Sequence, residues 1–140
     1  MTKNSILFVI AMFNLTIASA QVKLEKIKGS KIVTVTTKEV ESFENVEIEE
    51  FLDVYFVKSE KTSIEIEADD NLHDIISYNV LGNTLKLTAL KQPTGEKKLA
   101  IRVNYNDSLK TIVARHESKI NALADISLEN ITIKNFDKSQ

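Results

Sequence analysis

The stretch from Phe43 to Ala68 constrains this chain more than any other. Val46 and Ile48 alternate with Asn45, Glu47 and Glu49, and Val54 and Phe56 alternate with Asp53 and Tyr55. Ile64, Ile66 and Ala68 then alternate with Glu65 and Glu67. Successive side chains of an extended chain point to opposite faces, so a period of two predicts half-buried strands with a wet, acidic face. Three such runs in succession predict one sheet.

The flanking sequence repeats the device. Residues 21–30 are polar with scattered apolar positions and read as either a short edge strand or a flexible lead-in. Lys31 to Thr37 is almost pure β-former and predicts the first firm strand. Strands at 43–49 and 51–57 break near Glu49-Glu50, residues 58–62 turn the chain, and 63–68 return as a strand. Asp69 to Ile76 predicts a single helical turn, capped by Asp69 or Asp70, with Leu72, Ile75 and Ile76 inward. A strand at 77–81, a tight turn at Gly82-Asn83 and a returning strand through Leu85 and Leu87 follow. Residues 91–97, with Pro93 and Gly95, read as the clearest loop. Leu99, Ile101, Val103 and Tyr105 alternate again, with Arg102 facing water.

After Asn106 the pattern changes. Residues 108–114 and 127–133 match at an offset of 19, Leu109 with Leu128 and Ile112 with Ile131, while Ile120 and Leu123 lie between them. A short strand that recurs with inward apolar residues suggests stacked coils of a β-solenoid, and two ordinary antiparallel strands would give the same match. The fold class expected, from this pattern together with the family resemblance given below, is all-β: a β-solenoid-like, parallel three-faced β-helix with an antiparallel strand-rich N-terminal part, short at its C-terminal end. Residues 135–140 read as a frayed end, within which Phe136 is placed to cap the last coil.

Lys3, the apolar run Ile6 to Phe13 and the small-x-small sequence Ala18-Ser-Ala20 have the layout of a cleavable signal peptide over residues 1–20. Cleavage after Ala20 starts the mature chain at Gln21, with a polar lead-in over 21–30 and one domain over 31–140. The apolar run is too short to span a bilayer comfortably, so no integral membrane segment is expected after cleavage. There is no cysteine, hence neither a lipid anchor on cysteine nor a disulfide framework, and the fold must rest on its own core. Without Lys3 the 17 basic and 20 acidic residues leave a net charge of −3, well interspersed, which does not suit a nucleic-acid partner.

Each grouping that resembles chemistry has a plainer reading. His73 beside Asp69, Asp70, Asn71 and Asp74 has neither zinc nor calcium-loop spacing and reads as a polar turn. Arg115-His-Glu117 with Ser118 lacks the glycine frame of a nucleophile elbow and reads as a solvated corner. Glu47, Glu49, Glu50, Glu65 and Glu67 offer carboxylate pairs for acid–base work, but glutamates on strand faces equally form a soluble outer surface. Tyr55, Tyr78 and Tyr105 adjoin no basic run, and Gly29, Gly82 and Gly95 form no phosphate loop. No catalytic, cofactor-binding or metal residue is assigned, and no enzyme activity is expected.

The run Val40 to Val57, then Ile64-Glu-Ile-Glu-Ala-Asp-Asp-Asn-Leu72, Leu85-Lys-Leu87 and Ile101-Arg-Val103, has a recognisable order. It opens with Phe43 and Val46, carries an Asp53-Val54 pair, and places Asp70-Asn71-Leu72 before a strand that ends near a glycine-asparagine turn. In this order the chain, over residues 29–133, resembles the family described as putative auto-transporter adhesin, head GIN domain. The resemblance implies an exported protein of a Gram-negative bacterium, in the periplasm or on the outer cell surface, with no known enzyme activity. It further implies a role in adhesion or envelope structure, with a surface polymer, a glycan or an envelope protein as partner. An exposed sheet edge implies, as the alternative, a periplasmic scaffold for peptides or proteins, and leaves room for a homo-oligomer. One departure stands out: Ala114 to Ile120 occupies the place of a glycine-rich corner and has no glycine.

Overall fold

The computed structural model describes residues 23–49, 51–115, 118–122 and 131–136. Alternation is realised as strands throughout: β1 (Lys26–Lys28), β2 (Val33–Glu39), β3 (Asn45–Glu49), β4 (Asp53–Lys58), β5 (Ser63–Asp69), β6 (Ile76–Leu81), β7 (Thr84–Ala89), β8 (Gln92–Thr94), β9 (Leu99–Tyr105), β10 (Thr111–Ala114), β11 (Lys119–Ala122) and β12 (Thr132–Asn135). A 3-10 turn, Asp70–Ile75, joins β5 to β6. These make an all-β fold of mixed sheets. Sheet I has the order β12-β10-β3-β7-β6, sheet II the order β11-β4-β9-β5-β2, and β1 pairs with β8 in a small third sheet.

The three acidic alternating runs do not form one sheet. β3 lies in sheet I, β4 and β5 lie in sheet II, and β9 separates β4 from β5. Phe51 takes φ +53 and Leu52 drops into the core just ahead of β4, which runs in the other sheet. Neighbours across each ladder are then supplied by distant segments. β7, β3, β10 and β12 run parallel in sheet I, as do β9, β4 and β11 in sheet II. β3 and β4 are thus sandwiched between β7 and β9 on one side and β10 and β11 on the other. Antiparallel pairing is confined to β6 with β7 and to β2, β5 and β9.

Inward residues of both sheets merge in one cluster. Val46, Ile48, Leu85, Leu87 and Ile112 come from sheet I, and Val54, Phe56, Ile64, Ile66, Ile101 and Val103 from sheet II. Phe43 and Leu52 fill the ends, and Leu72 and Ile75 of the 3-10 turn close the cluster, as does Ile76 at the start of β6. Fully burying each of these side chains is worth about 1.5–3 kcal/mol, and with no disulfide they carry the fold.

Four expectations need correction. The matched strands stack at an offset of 21, Ile112 beside Ile133, so Ile131 packs on the core ahead of β12 while Ile133 is 40% exposed. Leu128, the partner of the buried Leu109 in that match, and Leu123, which lies between the two copies, fall outside the described residues. Residues 91–97 contain β8, whose Pro93 sits opposite Ile27 of β1; a two-stranded ribbon has an open edge where proline's missing donor costs nothing. Asp69 makes no cap on the 3-10 turn. Finally, the glycine-free corner is built differently: Ser118 is fully buried and its hydroxyl donates to the Arg115 carbonyl at 2.6 Å. That corner stacks on the preceding one, with the amides of Arg115 and Lys119 donating to the carbonyls of Ile48 (2.9 Å) and Leu52 (2.8 Å). The Gly82-Asn83 turn forms as expected, Gly82 supplying φ +59.

Candidate binding face

The most polar buried group is structural. Asp69 ends β5 with no exposed surface and accepts backbone amides from Lys31 (2.9 Å), Lys97 (3.1 Å) and Lys98 (2.9 Å). Burial pushes its carboxyl up, but those amides and the Lys31 charge outweigh burial and hold it below the ordinary value. One carboxylate thereby clasps the β1–β2 connection to the β8–β9 connection. The close approach requires Gly29, where a Cβ would stand 2.2 Å from Asp69 Oδ2 and 2.7 Å from the Glu96 Cα. Neither the backbone of Glu96 nor the pinned carboxylate has room to yield. Gly29→Ala is therefore expected to cost about 1–3 kcal/mol, read as a fall in the urea midpoint at unchanged slope.

The rest of the acidic turn completes the clasp. Asn71 donates to the Lys28 carbonyl (2.8 Å) and accepts the Ser30 amide (2.9 Å), while the Ser30 hydroxyl donates to Asp70. His73 Nε2 lies 2.9 Å from the Thr34 hydroxyl and 3.2 Å from its carbonyl. The predicted polar turn is thus a stitch between β2 and the 3-10 turn, and among the described residues no three His, Asp or Glu side chains gather as metal ligands. His116 and Glu117 lie outside the described residues, and Ser118 serves the corner described above.

The glutamates fall on the outer faces as expected, each beside a cation. Glu65 meets Arg102 at 3.3 Å, Glu67 meets Lys98 and Glu47 meets Lys86 at 3.8 Å, and Glu49 meets Arg115 at 4.0 Å. Glu50 is not among the described residues. Each of these four carboxylates is engaged by a cation on a neighbouring strand or loop. They make a patterned surface.

The register of sheet II orders that surface. Asn121, Tyr55, Arg102, Glu65 and Thr37 form one row across all five strands. In the next row the small Ala100 stands beside Glu67, leaving a shallow depression of about 200 Å³ lined by Tyr55, Glu65, Glu67, Lys98, Ala100 and Arg102. Tyr55 is held at its rim. Its hydroxyl donates to Asp53 (3.3 Å), which also accepts from the Asn121 side-chain amide. The negative charge of Asp53 raises the phenol above its ordinary value, with burial and the hydrogen bond acting in the same direction, so Tyr55 stays a neutral donor. A wider, open hollow of about 510 Å³ lies at the β4 turn between Lys58 and Asn106, spanned by an exposed Lys58–Asp107 pair that solvent screens. The sequence marked these residues as a wet face; which of them share a row depends on pairings between distant segments.

A family model described as putative auto-transporter adhesin, head GIN domain, matches residues 42–139. The chain belongs to this family. Among solved structures, this GIN-domain chain is similar to one described as a putative adhesin from Parabacteroides merdae (20% identity, TM-score 0.60), covering 71% of the chain and 42% of that structure. A second, described as a putative adhesin from Bacteroides fragilis, shares 24% identity at TM-score 0.60, with 67% and 44% covered. A third, from Parabacteroides distasonis and described as a putative lipid binding protein, shares 16% identity at TM-score 0.61, with 70% and 44% covered. At these identities the likeness is one of fold. The GIN-domain chain spans less than half the length of those three structures. No curated protein matches it. Among the described residues no helix is long and apolar enough to cross a membrane.

Proposed function

We propose that this GIN domain is a non-catalytic, exported binding module of the cell envelope, and that the outer face of sheet II is its contact surface. The observation that carries the reading is the row Asn121-Tyr55-Arg102-Glu65 around the Ala100 depression. It places a rigid aromatic side chain beside amide, guanidinium and carboxylate groups. A sugar ring presents an apolar face and a rim of hydroxyls, and that combination of groups suits both. The ligand class is accordingly a surface glycan or related envelope polymer. The family's adhesin description supports the same reading.

Export follows from the leader: cleavage after Ala20 releases a chain beginning at Gln21, which N-terminal sequencing of the secreted form checks. We also read the parallel ladders as coils of a three-faced solenoid. The support is that 84–105 contributes one strand to each of the three sheets, β7, β8 and β9. The second reading is a peptide scaffold using a sheet edge, favoured by the four-residue edge strand β12, exposed along its length.

Two measurements test the primary reading. Protease added to intact cells is expected to remove the chain while a periplasmic control survives; survival of both would count against adhesion. Retention on immobilised envelope polysaccharide is expected to weaken about tenfold in Tyr55→Ala and in Arg102→Ala, with little loss of stability at these half-exposed positions. Unchanged retention in both variants would remove this face from consideration.

A further inference from the structure

Among the described residues β2 is an edge strand of sheet II, and its sequence is self-complementary. β2 is seven residues long and its described partner is β5 alone. Two hydrogen bonds fix which of its backbone groups are engaged. The Asp70 amide donates to the Ile32 carbonyl (2.7 Å) and the Val40 amide donates to the Thr62 carbonyl (3.2 Å). Even-numbered residues of β2 therefore face β5, because hydrogen-bonded and non-bonded pairs alternate along an antiparallel ladder. Amides and carbonyls of Val33, Val35, Thr37 and Glu39 point the other way, and among the described residues none of them has a partner.

Soluble proteins blunt such an edge with proline, central charges or a bulge. Here Val33 to Thr37 is unbroken β-branched sequence, Val35 is 59% exposed, and charge appears only at the ends, Lys31 before the strand and Lys38-Glu39 at its finish. That distribution identifies the occupant. A two-fold axis through Val35 pairs Val33 with Thr37, Thr34 with Thr36 and Val35 with itself, and sets Lys31 opposite Glu39 at both ends. In this register every outward-pointing residue of one strand meets an outward-pointing residue of the other, closing about six backbone hydrogen bonds. A shift by one residue would set outward groups against inward ones.

We propose that β2 is a homotypic pairing edge, joining sheet II of two copies through an antiparallel β2–β2 contact into one ten-stranded mixed sheet with the two-fold axis at Val35. The outer faces of both copies then become one continuous surface. A single strand edge buries less than a standard interface, so the pairing is weak in free solution. Two copies held side by side on an envelope meet at much higher effective concentration.

The chain has no cysteine, so single-cysteine variants report the register directly. A hydrogen-bonded antiparallel pair holds its Cα atoms about 5.5 Å apart, within the span of a disulfide. Full-length exported chain carrying Val35→Cys is expected to form a covalent dimer on mild oxidation. Thr37→Cys alone is not, but mixed with Val33→Cys it is expected to do so. Val35→Lys sets two ammonium groups on the axis while leaving the protomer beside Glu67, its β5 neighbour. It is expected to sediment as a monomer at concentrations where the unmodified chain is half dimeric, with the same melting temperature. The proposal is overturned by a monomer at millimolar concentration, by a dimer that survives Val35→Lys, or by crosslinking at Thr37→Cys as efficient as at Val35→Cys. A monomer that instead takes up an extended peptide along β2 would also overturn it, in favour of the scaffold reading.

Discussion

Asp69→Ala is expected to lower the melting temperature by about 10 °C or more at pH 7, well beyond the effect of removing an outer-face glutamate. The substitution leaves the amides of Lys31, Lys97 and Lys98 without their acceptor at the base of two connections. Buried donors stripped of a partner cost their desolvation outright, and neighbouring loops must open to let water in. Asp69→Asn separates charge from shape, since it retains one oxygen to accept amides. Its pH dependence follows from the lowered carboxyl. The folded-state value lies below the unfolded value of 3.8, so the carboxylate's contribution is fully present above that value and disappears as pH falls through the folded one. The gap in melting temperature between the unmodified chain and Asp69→Asn is therefore widest near neutrality. It narrows only below about pH 4. A constant gap from pH 7 to pH 3 would show that the charge contributes nothing and that geometry alone matters.

Phe56→Ala is expected to cost about 3–5 kcal/mol, a large part of the 5–15 kcal/mol that holds a domain of this size. Phe56 has no exposed surface and packs on Tyr105, ring centres 6.3 Å apart at 59°. Its strand is flanked by β9 on one side and β11 on the other, both recruited from later in the chain. A cavity at Phe56 cannot be filled without moving ladders that join residues nearly fifty positions apart in sequence, such as Phe56 and Val103. Phe56→Leu retains most of the volume and is expected to lose about 1 kcal/mol. Urea denaturation of the three proteins checks the series. A loss below about 1 kcal/mol in Phe56→Ala would mean that the two sheets do not close on this side chain.

The clasp and the binding face place different demands on the same loops. Lys98 donates its backbone amide to Asp69 while its ammonium pairs with Glu67 at the rim of the depression. The face is therefore anchored at one corner by the most tightly bonded buried group in the described structure. A ligand at the proposed face would meet a surface that is already ordered, which spares the cost of fixing side chains on contact.

Period two in Val46-Glu47-Ile48, Val54-Tyr55-Phe56 and Ile64-Glu65-Ile66 was sufficient to determine strands, their buried faces and the wet glutamates. Each follows from one residue's neighbours and from the geometry of an extended chain. Gly82 at its turn, the inward Leu72, Ile75 and Ile76, and the family order of motifs were legible for the same reason. Pairing was not. That β3 joins sheet I and β4 sheet II depends on a positive φ at Phe51, a residue that rarely adopts one. That Ile112 stacks on Ile133 and not Ile131 depends on how corners are closed, and Ser118 closes one where a glycine was expected. Asp69 shows the same division. In sequence it is one of two adjacent aspartates in a polar turn; only the convergence of Gly29, Lys31, Lys97 and Lys98 makes it a buried, charged clasp. Local alternation determines which face of each strand is buried. Contacts between segments far apart in the chain decide which strands meet, because every inward face here is equally apolar and only the corners and the packed core tell one neighbour from another.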